Sequence, residues 1–369
     1  MKYKVPLVNY PKHYHTIKGK IDTAIKEVLS RGDLIMRSHL RDFEDNMASF
    51  LGVRYTVGVG NCTDALYLSL WAAGIGSGDE VITVAHTFVA TLEAIVRCGA
   101  KPILVDIEED FNMDVEQVER VITRRTKAIL PVHLNGRLCD MKKLMAIARK
   151  HDLMVIEDAA QAVGATFDRK KAGSFGLAGC FSFYPAKLLG AFGDGGLVCT
   201  NSKGLAEKIR LLRDHGRKDK NELAFYGFNS RLDNLQAAIL NVKFKYLQRW
   251  IRRRRELAGI YGRGLSGIEK IKLPPPPKAK DRFFDVYQNY VIRAQKRDRL
   301  FRYLKKHSVE PLVSNPIPVH RQRALGLGHY HLPNTECFAK EVISLPLFPE
   351  LSNEQVKYVV RLIRDFYEK

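Results

Sequence analysis

From residue 55 onward the chain alternates between short apolar segments and segments with helical periodicity. The apolar segments lie at 55–59, 81–84, 102–106, 128–133 and 153–157, and two more follow at 179–183 and 196–199. The helical patterns between them lie at 63–73, 88–97, 115–122 and 141–150. Short apolar runs separated by helices are typical of a mostly parallel sheet covered on both faces. The sequence therefore predicts a large α/β domain with a sheet of the seven-stranded type.

The sequence of the C-terminal part indicates a smaller α+β domain. Apolar residues recur at helical spacing from Leu232 to Leu257 and predict one long helix that connects the two domains. Residues 274–281 include four consecutive prolines and predict an exposed polyproline segment. Further strands are predicted at 286–292 and 343–345, and further helices at 297–306 and 353–367.

The length of 369 residues exceeds the size at which one hydrophobic core stops growing. We therefore expect an N-terminal arm at 1–11, a large domain at 12–245 and a small domain at 246–369. No apolar run reaches the roughly 18 residues that a membrane span needs, and the N-terminus lacks the pattern of a signal peptide. A cytoplasmic protein is the expectation.

The chain is strongly basic, with 60 Lys and Arg against 40 Asp and Glu and a formal net charge of +20. Such a surplus attracts phosphorylated or acidic partners and favours nonspecific contact with nucleic acid, but it does not choose among them. The densest basic run, Arg252 to Arg255, lies on the predicted long helix. A solvated helix face is the favoured interpretation of this run over a DNA contact.

Six cysteines, at positions 62, 98, 139, 180, 199 and 337, are scattered and form no CxxC pair. Their apolar surroundings predict reduced, buried packing residues. Because none has a second Cys or a His at the short spacing of zinc sites, we expect no metal.

Two residues, Lys187 and Asp158, carry the strongest chemical signal. Lys187 lies between a predicted strand and a glycine-rich loop, and Asp158 directly follows a predicted strand. An amine for an aldehyde and a carboxylate for a ring nitrogen are the marks of a pyridoxal phosphate site. The structural alternatives are a surface lysine and a helix-capping aspartate. The strand, Pro185 and the glycine loop favour a buried Lys187 with a lowered amine pKa, and Gln161 is placed to bond the ring oxygen.

The segment 58–63, Gly-Val-Gly-Asn-Cys-Thr, connects a predicted strand to a helix. Free N–H groups and the helix dipole make such a junction a phosphate site. A dinucleotide fingerprint fits poorly, because Thr63 replaces the third glycine and Asp79 precedes a strand instead of ending one. A single phosphate fits better, with the hydroxyl groups of Thr63 and Ser182 as donors. Phe88 opens the next predicted helix and is either a ring-stacking residue or a core aromatic.

In this order the motifs resemble those of the DegT/DnrJ-type sugar-nucleotide aminotransferases, which are pyridoxal phosphate enzymes of fold type I. The similar segments run almost from end to end of the chain, at 43–44, 63–66, 87–91, 132–136, 157–162, 182–187, 193–196, 227–232, 236–240, 318–320 and 344–347. The resemblance implies a homodimer with its active sites at the subunit interface and L-glutamate as amino donor.

The resemblance also implies roles for the residues that contact the cofactor ring. Lys187 would bind the cofactor as an imine and later move the proton, and Asp158 would pair with the ring nitrogen. Gln161 would contact the ring oxygen, and Phe88 would stack on the ring.

Phosphate and substrate contacts are implied in the same way. The phosphate would be held by Cys62, Thr63 and Ser182, and by Asn229 of the neighbouring subunit. His320 and Asn315 lie in the substrate-side loop of the family. Three departures from the family pattern are Cys62 in place of a glycine, Asn315 in place of an aromatic residue, and Met36-Arg37 in place of a glycine-rich turn.

The leading prediction is transamination of a nucleotide-linked keto-sugar. One alternative is a sugar-deoxygenating enzyme of the same family, in which a His holds the lysine position, so Lys187 counts against it. The other is a noncatalytic regulator or nucleic-acid binder, motivated by the net charge and by Arg252 to Arg255. The sequence contains no helix-turn-helix or zinc module to support it.

Overall fold

A seven-stranded sheet forms the centre of the fold, as the alternating pattern predicts. The structure, a computed structural model, describes residues 3–278 and 281–368. The strands of this sheet are β1 (Tyr55–Val59), β2 (Glu80–Val84), β3 (Lys101–Val105), β4 (Thr126–Ile129), β5 (Met154–Asp158), β8 (Ala178–Ser182) and β9 (Gly196–Thr200). They lie in the order β1-β9-β8-β5-β4-β2-β3. Only β9 runs against its neighbours, because a hairpin joins it to β8.

Helices cover both faces of this sheet, and most residues of its strands are buried. The helices of the N-terminal two thirds are α1 (Tyr10–Arg31), α2 (Ser38–Leu51), α3 (Cys62–Ala72), α4 (Ala90–Arg97), α5 (Val115–Val118), α6 (Met141–Lys150), α7 (Lys203–Leu212) and α8 (Asn234–Phe244). Local signals set their ends: the carboxylate of Asp140 accepts hydrogen bonds from the N–H groups of Lys142 and Lys143 and caps α6.

The C-terminal part adds helices and two small sheets. Its helices are α9 (Leu247–Leu265), α10 (Arg297–Lys306), α11 (Pro333–Glu341) and α12 (Asn353–Glu368). One sheet contains β10 (Ile271–Lys272), β12 (Tyr290–Ala294) and β13 (Val342–Leu345), and the other contains β6 (Thr166–Phe167), β7 (Lys170–Lys171) and β11 (Phe283–Phe284).

A second apolar core lies in this C-terminal part. Leu257, Ile292 and Ile363 are fully buried there, together with Val5 from the N-terminal segment. Val5 pairs with Val309 as an isolated parallel bridge, which ties the start of the chain to this core. The division of the chain at residue 245 stays a prediction.

The prediction of one continuous helix from Leu232 to Leu257 is wrong. The segment forms two helices, α8 and α9, which are separated at Lys245 and Tyr246. The N–H of Tyr246 bonds to the carbonyl of Lys243 three residues back, and this tight turn ends the regular ladder. The apolar spacing continues across the turn, which is why periodicity alone missed it.

The expectation of a solvated arginine run is also wrong. Arg254 is only 5% exposed, and its guanidinium donates to the carbonyl oxygens of Tyr287 and Gln288. Arg255 donates to the carbonyl oxygen of Asp285. Two of the four arginines therefore hold α9 against the residues that lead into β12.

Two smaller expectations need correction. Pro276 is exposed, but the other three prolines of the polyproline segment are half-buried, and the Tyr287 hydroxyl donates to the Pro275 carbonyl; Ala279 and Lys280 lie outside the described residues. All six cysteines are free, as expected, but Cys98 is half-buried and Cys337 is exposed, so only four are packing residues of the interior.

Candidate active site

Three strands deliver the candidate residues to one edge of the sheet. β5 ends at Asp158, β8 ends at Ser182, and β1 is followed directly by the start of α3. Because these strands run in the same direction, their carboxyl ends meet. A cavity of about 670 Å³ opens there, lined by seven of the predicted residues: Cys62, Thr63, Phe88, Asp158, Gln161, Ser182 and Lys187.

Lys187 enters the cavity from a tight turn after β8. Its N–H donates to the carbonyl oxygen of Tyr184 at 2.8 Å. The chain then folds back so closely that a Cβ on Gly190 would lie 2.4 Å from the Pro185 carbonyl oxygen, which explains the glycine. Burial lowers the pKa of the Lys187 amine, while Cys62 and Asp158 oppose the shift. The site thus increases the share of neutral, nucleophilic amine.

Asp158 is a buried carboxylate with fixed hydrogen bonds. Its Oδ2 accepts from the Thr91 hydroxyl at 2.8 Å, and its Oδ1 accepts from the Ala160 N–H at 3.2 Å. Burial raises the pKa of Asp158, and the two hydrogen bonds and Lys187 lower it. The capping alternative is wrong, because no helix follows β5 before β6 begins.

The backbone of residues 61–63 at the start of α3 lines the cavity and forms a shallow recess, the α3 cup. The Asn61 side chain accepts from the Asp64 N–H at 2.8 Å and caps the helix. The first helical N–H groups, of Cys62 and Thr63, have no intrahelical partner and carry the positive end of the dipole. A Cβ on Gly196 would lie 2.4 Å from the Asn61 carbonyl, so β9 packs directly behind the cup. Cys62 does not have positive φ, so its position does not require the usual glycine.

Phe88 and Gln161 contribute the remaining predicted contacts. Phe88 is 66% exposed at the rim of the cavity, so the interpretation as a core aromatic is wrong. The Oε1 of Gln161 accepts from the Asn135 N–H at 2.8 Å, which leaves its Nε2 as the donor toward the cavity.

Three predicted residues lie outside the lining of this cavity. Asn229 is exposed beside Ser230, whose hydroxyl donates to Asp64. His320 is fully buried, with Nε2 at 3.2 Å from Glu336, and burial lowers its pKa. Asn315 donates to the carbonyl oxygen of Thr87 at 2.9 Å. Their roles toward a substrate or a second subunit stay predictions.

Sequence reasoning missed the residues that hold the predicted ones in place. Thr91 lies within the family-like segment 87–91, but the sequence predicted no hydrogen-bond partner for its side chain. Glu157 is fully buried and accepts four hydrogen bonds, from His133 and from the N–H groups of Gly173, Phe175 and Gly176. Gln288 and Asn289 were also missed. Their only signal in the sequence is that this polar pair interrupts an apolar segment.

Within residues 3–278 and 281–368, no group of three or more His, Cys, Asp or Glu side chains is arranged to hold a metal ion. None of the helices in the same ranges has the length and apolar character needed to cross a membrane.

Comparison with known proteins places these features in a family. The sequence profile of the DegT/DnrJ/EryC1/StrS aminotransferase family matches residues 15–364. The chain is 45% identical over 367 residues to the "Pleiotropic regulatory protein" of Geobacillus stearothermophilus, covering 98% of each. It is 41% identical over 362 residues to the UDP-N-acetyl-3-dehydro-alpha-D-glucosamine 3-aminotransferase of Acidithiobacillus ferrooxidans, covering 98% of this chain and 97% of the relative.

One solved structure is similar to this chain in fold and over nearly its whole length. S. venezuelae DesV in complex with a ketimine intermediate superposes with a TM-score of 0.95 at 38% identity, and the match covers 99% of each chain. The fold is thus that of the pyridoxal phosphate transferases of fold type I. The chain belongs to the DegT/DnrJ/EryC1/StrS aminotransferase family.

Enzymes of this family depend on pyridoxal phosphate, and the cavity fits that cofactor. Lys187 offers an amine for the aldehyde, and Asp158 offers a carboxylate for the ring nitrogen. The α3 cup fits the phosphate, and Phe88 offers a flat apolar surface for the ring.

Proposed function

We propose that this chain transfers an amino group from L-glutamate to a ketone of a nucleotide-linked sugar, and that it does so as a homodimer with active sites at the subunit interface. The observation that carries the proposal is the joint position of Lys187 and Asp158 in one cavity beside the α3 N-terminus. The amino donor and the dimer are supported by family resemblance.

The geometry supports a separate chemical role for each residue of the cavity. Bound pyridoxal phosphate supplies a ring that accepts electrons from the carbon next to the transferred nitrogen. Lys187, with its lowered pKa, would take a proton from that carbon in one half-reaction and return one to the sugar carbon in the other. Asp158 keeps a negative charge beside the ring nitrogen. Gln161 directs a donor toward the ring oxygen.

The names of two relatives support the substrate class. The Acidithiobacillus ferrooxidans relative is named for amino transfer to a UDP-linked 3-dehydro sugar, and the superposed DesV structure holds a ketimine. Arg97 lines the same cavity with its side chain 46% exposed, so a cation lies near the path of an anionic substrate. The net charge of +20 favours the approach of a diphosphate.

Neither alternative has comparable support. The deoxygenating branch uses a histidine where this chain has Lys187. The regulatory alternative rested on the net charge and on the arginine run, and Arg254 and Arg255 of that run donate to backbone carbonyl oxygens. The Geobacillus relative carries a regulatory name, which is a statement about that protein alone.

The first test is covalent trapping. Purified protein loaded with pyridoxal phosphate is reduced with borohydride and digested, and mass spectrometry locates the modified lysine. We expect the label on Lys187 and its loss in Lys187→Ala. Lys243 is the internal control, because it is a buried lysine that does not line the cavity. A protein that takes up no cofactor would falsify the proposal.

The second test addresses substrates. The pyridoxamine form is mixed with nucleotide-linked keto-sugars, and return of the visible absorbance is recorded. L-Glutamate, L-aspartate and L-alanine are compared as amino donors that convert the pyridoxal form of the protein to the pyridoxamine form. Loading by L-glutamate at a rate no higher than by the other two would remove it as the donor.

A further inference from the structure

The backbone on both sides of Lys187 is held by one buried side chain from a distant part of the sequence. Gln288 is 7% exposed. Its Oε1 accepts from the Leu188 N–H at 2.8 Å, and its Nε2 donates to the Ala186 carbonyl oxygen at 3.0 Å. Both polar atoms of the carboxamide are therefore used to fix the residues that flank Lys187.

The next residue, Asn289, contacts the side chains of Asn135 and Gln161. Its Nδ2 lies 3.2 Å from Asn135 Oδ1 and 3.4 Å from Gln161 Oε1. Gln161 Oε1 also accepts from the Asn135 N–H. Two donors thus converge on this oxygen, and the Gln161 carboxamide is oriented with Nε2 toward the cavity.

The Gln288-Asn289 pair is itself firmly anchored. The Gln288 N–H donates to the Asn135 carbonyl at 2.9 Å, and the Val286 N–H donates to the Gly136 carbonyl at 3.0 Å. On the other side, the buried Arg254 donates to the Gln288 carbonyl at 3.1 Å. A Cβ on Gly136 would approach the Gln288 nitrogen to 2.9 Å, so the two segments are in close contact.

We propose that Gln288 and Asn289 are positioning residues of the active site: Gln288 sets the Lys187 backbone, and Asn289 sets the hydrogen-bond polarity of Gln161. This inference rests on the proposed function. The titratable side chains that line the cavity are Cys62, Asp64, Glu93, Arg97, His133, Asp158, Tyr184, Lys187 and Asp194. Among the described residues none of them hydrogen-bonds to Asn289, which is linked to the cavity through Gln161.

The two residues have separable effects. In Asn289→Asp a carboxylate replaces one of the two donors to Gln161 Oε1, while the Asn135 N–H still donates to that oxygen. The lost donor and the added negative charge beside Gln161 favour the protonated form of the cofactor, so the pH midpoint of its visible band rises by about one unit. In Gln288→Met both contacts to the Lys187 turn are lost. We expect kcat to fall roughly tenfold with little change in KM, because proton transfer depends on Lys187 placement.

The experiment compares wild type, Asn289→Asp, Gln288→Met and the control Asn241→Asp. Asn241 also donates to a backbone carbonyl, that of His39, but it does not line the cavity. The readouts are the Kd for pyridoxal phosphate, the pH titration of the visible band and the division between kcat and KM. A raised midpoint in Asn289→Asp alone, with a roughly tenfold lower kcat and a similar KM in Gln288→Met, supports the proposal.

The outcomes distinguish a failure of the proposed function from a failure of the two positioning roles. Absence of cofactor binding in wild type overturns the proposed function and this inference together. Normal binding in wild type, with an unchanged midpoint in Asn289→Asp and an unchanged kcat in Gln288→Met, overturns only the positioning roles. If one variant does not fold, the other decides, because each addresses a different contact.

Discussion

The hydroxyl group of Thr91 donates a 2.8 Å hydrogen bond to Oδ2 of Asp158. The Thr87 hydroxyl lies 2.7 Å from that of Thr91 and must donate to it, since the Thr91 hydrogen is already used. Asn315 in turn bonds to the Thr87 carbonyl. A chain of polar contacts thus runs from the loop at Asn315 to the carboxylate proposed to face the cofactor ring nitrogen.

Thr91→Val should raise the pKa of Asp158 further above its usual value, because burial already raises it and the lost hydrogen bond lowered it. Hydrogen bonds to charged groups contribute about 1.5–3 kcal/mol, which corresponds to a fall in kcat/KM of roughly tenfold or more. Since the ionised form is needed, the acid limb of the pH–rate profile moves to higher pH. Thr91→Ser keeps the hydroxyl and should behave like wild type; equal losses in both variants would contradict this role.

Asp158→Asn should leave the fold largely intact and slow turnover by on the order of a hundredfold or more. The amide has the same shape but cannot carry the negative charge that keeps the ring nitrogen protonated. Single-turnover kinetics of the proton-transfer step measure the effect, and circular dichroism checks the fold. Unchanged turnover would mean that Asp158 is not the partner of the ring nitrogen.

The sequence predicted much of this site because its strongest signals are local. Lys187, Asp158 and the α3 junction each follow a recognisable strand, and the rule that parallel strands gather ligands at their carboxyl ends brings them together. The contact of Thr91 with Asp158 spans 67 positions, and that of Gln288 with Leu188 spans 100. No local pattern encodes such pairs.

The errors have the same physical origin. Apolar periodicity continues through Lys245 and Tyr246 although the helix does not, because the pattern records which face is buried and not whether the ladder is unbroken. Arg254 lies in a run of four arginines that suggests solvent, but its partners are carbonyl oxygens more than thirty positions away.

Glu157→Gln should destabilise the protein by about 3 kcal/mol or more. The Cys139 N–H donates to His133 Nδ1, so His133 Nε2 carries a hydrogen and donates to Glu157 Oε2. Each carboxylate oxygen therefore accepts two hydrogen bonds, and an amide nitrogen at either position leaves two buried donors unsatisfied. Urea unfolding measures the change.

Glu27→Gln is the matched control for that substitution. Glu27 pairs with Arg31 on the surface of α1, with side chains 39% and 61% exposed, and such pairs contribute about 0–1 kcal/mol. A loss in Glu157→Gln no larger than in Glu27→Gln would show that the buried carboxylate is dispensable for stability.

Lys243 should make the stability of the protein rise with pH in the alkaline range. The side chain is 3% exposed and its Nζ donates to the Gly190 carbonyl, in the loop after Lys187. Burial lowers its pKa from 10.5 to about 8, and Glu350 opposes the shift. Between these two pH values the unfolded chain binds more protons than the folded one, so the free energy of unfolding increases with pH.

The comparison of wild type with Lys243→Met isolates this contribution, because all other titrating groups cancel. At about 1.4 kcal/mol per pKa unit, the wild type should gain about 2 kcal/mol relative to the variant between pH 7.5 and 9.5. Lys245→Met, at an exposed position on the same segment, should show no such change relative to wild type. Urea unfolding at the two pH values gives both differences. A wild-type advantage that stays constant with pH would mean that Lys243 is not held in a desolvated, proton-losing environment, and that its contact with Gly190 stabilises the loop independently of charge.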